Sequence, residues 1–272
     1  MIDALRYEYV RLRTIRSTYW LIGLALTFQL VMSLIIAWRL SVASNPPSGS
    51  SAFDILATIG ASTGLAPLFI AYIIGLLGVF STGHEYRHGM IRATLTAIPD
   101  RRVVFVAKVV STAIVSAVAA LGCILIAIVS AVVFGLDLPG VSAVVNMALG
   151  TVLFAVMFSL SGLAYAAITR NQTAAVALLV LVPTVLEQII RAIVLAIKSG
   201  SDDPRGTGGL VQILKFLPYD AGGQMYTRAS IGDLLQFFGV VPFGPVGGGI
   251  VMAVFVSGLL GISYALFLRR DA

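Results

Sequence analysis

Charge is what this chain has least of. Only 11% of its 272 residues are Asp, Glu, Lys or Arg, against roughly 25% in soluble domains, and 58% are hydrophobic. That balance excludes an aqueous globular domain and fits a polytopic helical membrane protein. Cysteine is nearly absent too. Cys123, alone in VAALGCILIAIV, cannot close an intrachain disulfide and reads as a small packing residue. Lysine occurs only at 108, 198 and 215, never after a glycine, so there is no G-x-x-x-x-G-K-[ST] phosphate loop and ATP is not bound by that route. No catalytic residue is assigned, and the chain is expected to hold no cofactor or metal of its own.

What is present is a series of long apolar runs. Six are long enough to cross about 30 Å of hydrocarbon as helices: residues 18–38, 64–81, 103–134, 144–168, 173–197 and 247–268. The third exceeds one crossing, and Pro67 and Pro183 threaten the helical ladder of the second and fifth. The first run follows four arginines and is too long for a signal-peptide core, so it is expected to stay as an anchor.

Basic residues cluster on one side. Arg6, Arg11, Arg13, Arg16, Arg87, Arg92, Arg101, Arg102, Lys108, Arg170, Arg269 and Arg270 fall on the side of the N-terminus; Arg39, Lys198, Arg205, Lys215 and Arg228 fall on the other. The positive-inside rule then puts both termini in the cytoplasm. The net charge of +6 flanks apolar segments, which suits an anionic lipid surface and not nucleic acid.

Before the first run, residues 2–16 place Leu5, Tyr9, Leu12 and Ile15 on one stripe with arginines elsewhere, the pattern of an amphipathic interfacial helix. Residues 199–245 form a long extracytoplasmic loop. Its apolar pieces, broken by Pro and Gly, are too short to span and suggest interfacial or re-entrant helices. GASTG at 60–64 permits close helix contact, and the triple glycine 247–249 is expected to let the chain re-enter the membrane. Trp20 and Trp38 mark the two ends of the first span, as belt residues do. The fold expected is all-α: one transmembrane domain over 1–272, six transmembrane helices, the amphipathic N-terminal helix, a cytoplasmic loop 85–102 and re-entrant pieces before the last span.

Two features carry chemistry. HEYRH, His84–His88, matches H-E-x-x-H, the zinc-peptidase pattern of two imidazoles one turn apart with a general base between them. A catalytic zinc needs three protein ligands and an open position, but the chain has only these two histidines. The one acid within a later span, Glu187, has Arg191 one turn on to compete for it. A membrane zinc metallopeptidase is therefore an alternative, not the main reading. Glu187 and Arg191 are themselves a candidate pathway or gate, since intramembrane charges mark functional sites; a self-neutralising i,i+4 pair at a dimer seam is the plainer option.

The run EYRHGMIRATLTAIPDRRVVFVAKVV, residues 85–110, resembles the first cytoplasmic loop of permease subunits in type-2 ATP-binding-cassette (ABC) exporters, of the compact six-span actinobacterial kind. Glu85, Tyr86, Arg87, His88, Gly89, Ile91, Arg92, Leu95, Pro99, Arg101 and Lys108 fit that pattern. His84 does not belong to it, so the zinc match is one residue deep. The resemblance implies a coupling helix between the second and third spans, with Glu85, Tyr86, Arg87, His88, Gly89, Met90, Ile91, Arg92, Leu95, Ile98 and Arg101 engaging the ATPase. It also implies an ABC ATPase subunit dimer that carries ATP and Mg, a second copy of this chain or a related permease, membrane lipids as partners, and the bacterial cytoplasmic membrane as location. The cargo would be hydrophobic or amphiphilic: a drug, antibiotic, peptide or lipid. An ATPase-independent channel or scaffold is the second alternative.

Overall fold

The computed structural model describes residues 2–43, 56–57, 69–199, 211–226 and 243–269. Among these every regular element is helical and none is a strand. α1 (Ile2–Thr14) leads into α2 (Arg16–Ser41), then α3 (Phe69–Arg87), short α4 (Ile91–Ala97), α5 (Arg101–Val133) and α6 (Val141–Thr169). α7 (Gln172–Leu181) passes through a π turn (Val182–Leu186) into α8 (Glu187–Ser199). A 3-10 turn (Gln212–Phe216), α9 (Pro218–Gly223) and α10 (Gly244–Arg269) follow.

Among the described residues, five helical segments are long and apolar enough to cross a membrane: α2, α5, α6, the continuous α7–α8 stretch Gln172–Ile197, and α10. Each overlaps an expected span. Of the expected second span, α3 covers residues from Phe69; Pro67 and the GASTG motif lie outside the described residues.

The packing is that of helices in lipid. On α5 the outward face carries Ile114, Val118, Leu121, Leu125 and Val129, while Lys108, Ser111, Thr112 and Ser116 are buried. Thr112 donates to the Ser81 hydroxyl at 3.0 Å and Ser116 to the Ser159 hydroxyl at 2.8 Å. Lipid offers apolar side chains nothing to escape from, so close contact of small and hydrogen-bonding residues drives association. The α3–α6 contact is the most extensive and depends on the same logic: a Cβ on Gly78 would overlap the Ser159 carbonyl oxygen, and one on Gly162 would sit 2.7 Å from the Gly75 oxygen. Around this seam the core is aromatic, with Phe158 in edge contact with Tyr72 at 5.1 Å and with Tyr219 at 5.3 Å. Cys123 is buried in the same core as a free thiol.

Three local features refine the reading of the sequence. The triple glycine is not the point of re-entry, because α10 starts at Gly244, whose φ of +75° makes the turn. Gly248 is already helical, and its bare Cα lets α10 meet α9, since a Cβ there would overlap the Ala221 carbonyl oxygen. Second, the face that α1 turns into the bundle lies beside the stripe, of which Leu5, Leu12 and Ile15 are half-buried. Ala4, Glu8 and Arg11 are buried, while Tyr9 is exposed, because Glu8 and Arg11 find opposite charges inside the bundle. Third, Pro183 does not open the helix. Without an N–H, and with its ring against the carbonyl one turn back, it shifts the ladder to a wider register, so that the Glu187 N–H reaches the Val182 oxygen. Single π turns of this kind absorb one extra residue and turn the following side chains by about 100°.

Candidate functional site

Two separate buried charge clusters lie within the bundle. The first joins α1, α3 and α5. Lys108 Nζ donates to Glu8 Oε1 at 2.8 Å and to Glu85 Oε1 at 2.5 Å. Arg11 Nη1 lies 2.6 Å from Glu8 Oε2 and 2.9 Å from Glu85 Oε1, and its other amine nitrogen donates to the Ser81 carbonyl. The four residues are between 1% and 6% exposed. Two acids and two bases from three elements thus balance where none could stand alone, since an isolated ion in a dry interior is prohibitively costly. Lys108 sits about 10 Å along α5 from its first residue, so this helix carries a charge well inside the protein.

Directly after Glu85 the chain turns. The Met90 N–H bonds the Glu85 oxygen at 2.9 Å and the Gly89 N–H the Tyr86 oxygen at 3.4 Å. With Gly89 at φ +66°, this is a Schellman cap, and only a residue without Cβ enters that conformation freely. α4 then packs back onto the bundle. Ile91 is buried against Val104, Phe105, Leu163 and Phe267, with Leu95 and Ile98 half-buried beside it. Thr94 meets the Tyr7 hydroxyl at 3.1 Å, tying α4 to α1. The Asp100 side chain caps α5 by accepting from the Arg102 N–H at 3.0 Å.

The residues assigned to coupling therefore divide into two groups. Glu85 and Ile91 are buried inside this chain, and Tyr86, Leu95, Ile98 and Arg101 are half-buried. The Arg170 guanidinium covers the Tyr86 ring at 5.6 Å, and Arg101 reaches the Leu268 carbonyl at 3.5 Å. Arg87, His88, Gly89 and Met90 are exposed. The Arg92 side chain lies outside the described set. The apolar face of α4 is thus already seated on its own bundle, and the exposed part is the turn that precedes it.

The same geometry bears on the H-E-x-x-H match. Glu85, which would be the base, is held between Arg11 and Lys108. His84 Nε2 lies 3.2 Å from the Ser17 hydroxyl, and the two imidazole rings stack at 6.0 Å. Burial, then the neighbouring His88, Arg11 and Arg87 charges, push the His84 pKa below its usual 6.5. A cavity of about 340 Å³ lies beside these groups, yet among the described residues no three His, Cys, Asp or Glu side chains gather as metal ligands.

The second cluster joins α8 and α9. Glu187 and Arg191 are both buried, as intramembrane candidates should be, but they do not pair with each other as their spacing suggests. The Glu187 carboxylate accepts the Tyr219 and Asp220 N–H groups at 2.9 and 3.0 Å, capping the first turn of α9. Arg191 turns instead to the Asp220 carboxylate and, at 3.2 Å, to the Gln188 amide oxygen. The π turn just before Glu187 sets this direction. Tyr219 continues the network to the Ser161 and Tyr165 hydroxyls, each at 3.0 Å. The LPYDAGG stretch is thereby drawn into the bundle as a buried short helix. The remainder of 199–245 lies outside the described residues, apart from the 3-10 turn and the start of α10.

Sequence reasoning missed Glu8, Arg11 and Asp220. Their signal was weak: Glu8 and Arg11 look like ordinary surface charges of an arginine-rich helix, and Asp220 like a loop acid. No protein-family model matches the chain, and no curated protein is significantly similar to it.

Proposed function

We propose that this chain is the membrane subunit of an ATP-driven exporter of the type-2 ABC kind, moving a hydrophobic or amphiphilic substrate outward. It would sit in a bacterial cytoplasmic membrane with both termini inside. α3 together with the residues before it would make the sixth crossing. ATP and Mg would be held by a separate ATPase dimer, and a second permease copy or a related chain would complete the pathway.

One observation carries this reading. The exposed turn Arg87–Met90 begins two residues after Glu85, which is ion-paired into α1 and α5. A push on that turn meets no slack: it passes through Glu85 to Lys108 and Arg11, and so to the ends of three helices at once. A loop that merely rested on lipid would have no use for four buried charges behind it. The resemblance of residues 85–110 to the exporter coupling loop points the same way.

The test is co-purification with a Walker-motif ATPase, followed by transport in vesicles. Arg87→Glu and Met90→Asp change exposed side chains, so the fold should persist while ATPase binding and ATP-dependent export are lost. Unchanged export in both variants would refute the coupling role. Stoichiometric zinc that disappears in His84→Ala would favour the peptidase instead.

A further inference from the structure

A cavity of about 650 Å³ opens between the N-terminal halves of α6 and α10. Its origin is the wedge after α9. Met225 is pressed onto the bare Cα of Gly150, where a Cβ would overlap its carbonyl oxygen, while Ala221 meets Gly248 in the same way. The wedge holds the two helices apart beside it. Met147, Leu153 and Met157 of α6, Met225, and Ile250 and Ala253 of α10 line the space that results.

This lining is selective in what it omits. Among the described residues, no Asp, Glu, Lys, Arg or His contributes to it, although two charge clusters lie elsewhere in the same bundle. The polar groups among them are the Asn146 amide, which is exposed, and the buried Tyr226. Three methionines give a wall that reshapes around different apolar bodies. The Asn146 amide can both donate and accept hydrogen bonds. The volume lies in the usual range for small-molecule sites, about 300–1,000 Å³. A charged ligand would surrender its water against these apolar walls.

We infer that this cavity binds an uncharged amphiphile, a hydrocarbon body with a single hydrogen-bonding head placed at Asn146. Such a molecule is either a resident neutral lipid or a transported solute. As a statement about cargo the inference rests on the exporter reading; as a statement about binding it stands without it.

The test uses the full chain in phosphatidylcholine nanodiscs and a diazirine-bearing long-chain alcohol as photoprobe. Two analogues carry a trimethylammonium or a carboxylate head. The alcohol should label peptides covering 146–157 and 245–253, and both charged analogues should label them only at the level of the outward face of α5. Ala253→Trp fills the cavity and should abolish the preference, whereas Leu125→Trp on that outward face should not. Should Ala253→Trp fail to fold, Asn146→Leu tests the head: the alcohol should then label no better than the headless hydrocarbon.

The source is read separately. A neutral lipid retained in native mass spectra marks a resident molecule, and loss of label on adding ATPase partner and ATP marks cargo; both support the site. Equal labelling by charged and neutral probes, or labelling unchanged by Ala253→Trp, overturns it. Selective labelling in a chain that recruits no ATPase would sink the exporter reading and leave this site standing.

Discussion

Replacing Lys108 with Met should be among the most damaging single changes to this protein. The side chain is 1% exposed and its ammonium group bridges Glu8 and Glu85 at 2.8 and 2.5 Å. Its removal leaves two buried carboxylates sharing Arg11. Deleting one partner of a buried ion pair costs about 3–5 kcal/mol, chiefly because the remaining charge stays desolvated. The reverse of that argument gives a sharper test. In Lys108→Met with Glu85→Gln, the remaining charges are Arg11 and Glu8, still 2.6 Å apart, and the cluster is balanced again. The double variant should therefore be more stable than Lys108→Met alone, with a coupling energy of about 1–3 kcal/mol. Equilibrium unfolding in detergent of all four proteins of the cycle reads this directly. Strict additivity, or a Lys108→Met loss below about 0.5 kcal/mol, the range of ordinary surface changes, would refute the view of these four residues as one electrostatic unit.

Two further outcomes follow from the geometry. Glu187→Gln keeps the shape but turns one of the two oxygens that accept the Tyr219 and Asp220 N–H groups into an NH2 donor; a loss of about 1–3 kcal/mol is expected, with faster hydrogen exchange at those amides, and unchanged exchange there would count against the cap. His84 has its pKa lowered in the folded state, first by burial and then by His88, Arg11 and Arg87. Its contribution is therefore present above its ordinary pKa of 6.5 and is lost as pH falls through the lower folded value. Melting temperature should drop with pH in that window and drop less in His84→Gln; parallel curves for the two proteins would remove His84 from the account.

The helices were legible because their causes are local. Apolar runs of sufficient length and Pro183 as a breaker of the α-helical ladder each act within a few residues. The caps are equally local but went unread: Asn171 accepts from the Thr173 and Ala174 N–H groups at 2.9 and 3.2 Å. Glu187 and Arg191 were legible as sites because charge in an apolar run is rare. Their partners were not. Helical spacing offered Glu187 to Arg191, but Asp220, in a segment that looked like an external loop, outcompetes Glu187, while backbone amides take the Glu187 carboxylate. Likewise the periodicity of α1 showed an apolar stripe and could not show that Glu8 and Arg11 face a lysine one hundred residues away in the chain. Pairings of this kind depend on tertiary approach, which hydropathy patterns do not encode.

The two clusters also explain how a bundle without a hydrophobic driving force keeps one arrangement. In lipid, apolar packing alone discriminates weakly between helix registers, because tails solvate leucine as well as a neighbouring helix does. A buried charge cannot slide. If α5 moved by one turn, about 5.4 Å, Lys108 would leave both carboxylates, and the cost of unpaired ions would far exceed any packing regained. The same holds for α8 against α9 through Arg191 and Asp220. Beside them the α3–α6 seam is held by glycine contacts such as Gly78 on Ser159, which resist separation but carry no charge. An arrangement pinned by charge at two sites and close-packed beside them resists sliding of its helices, and that is the mechanical property the exporter reading proposed above would require.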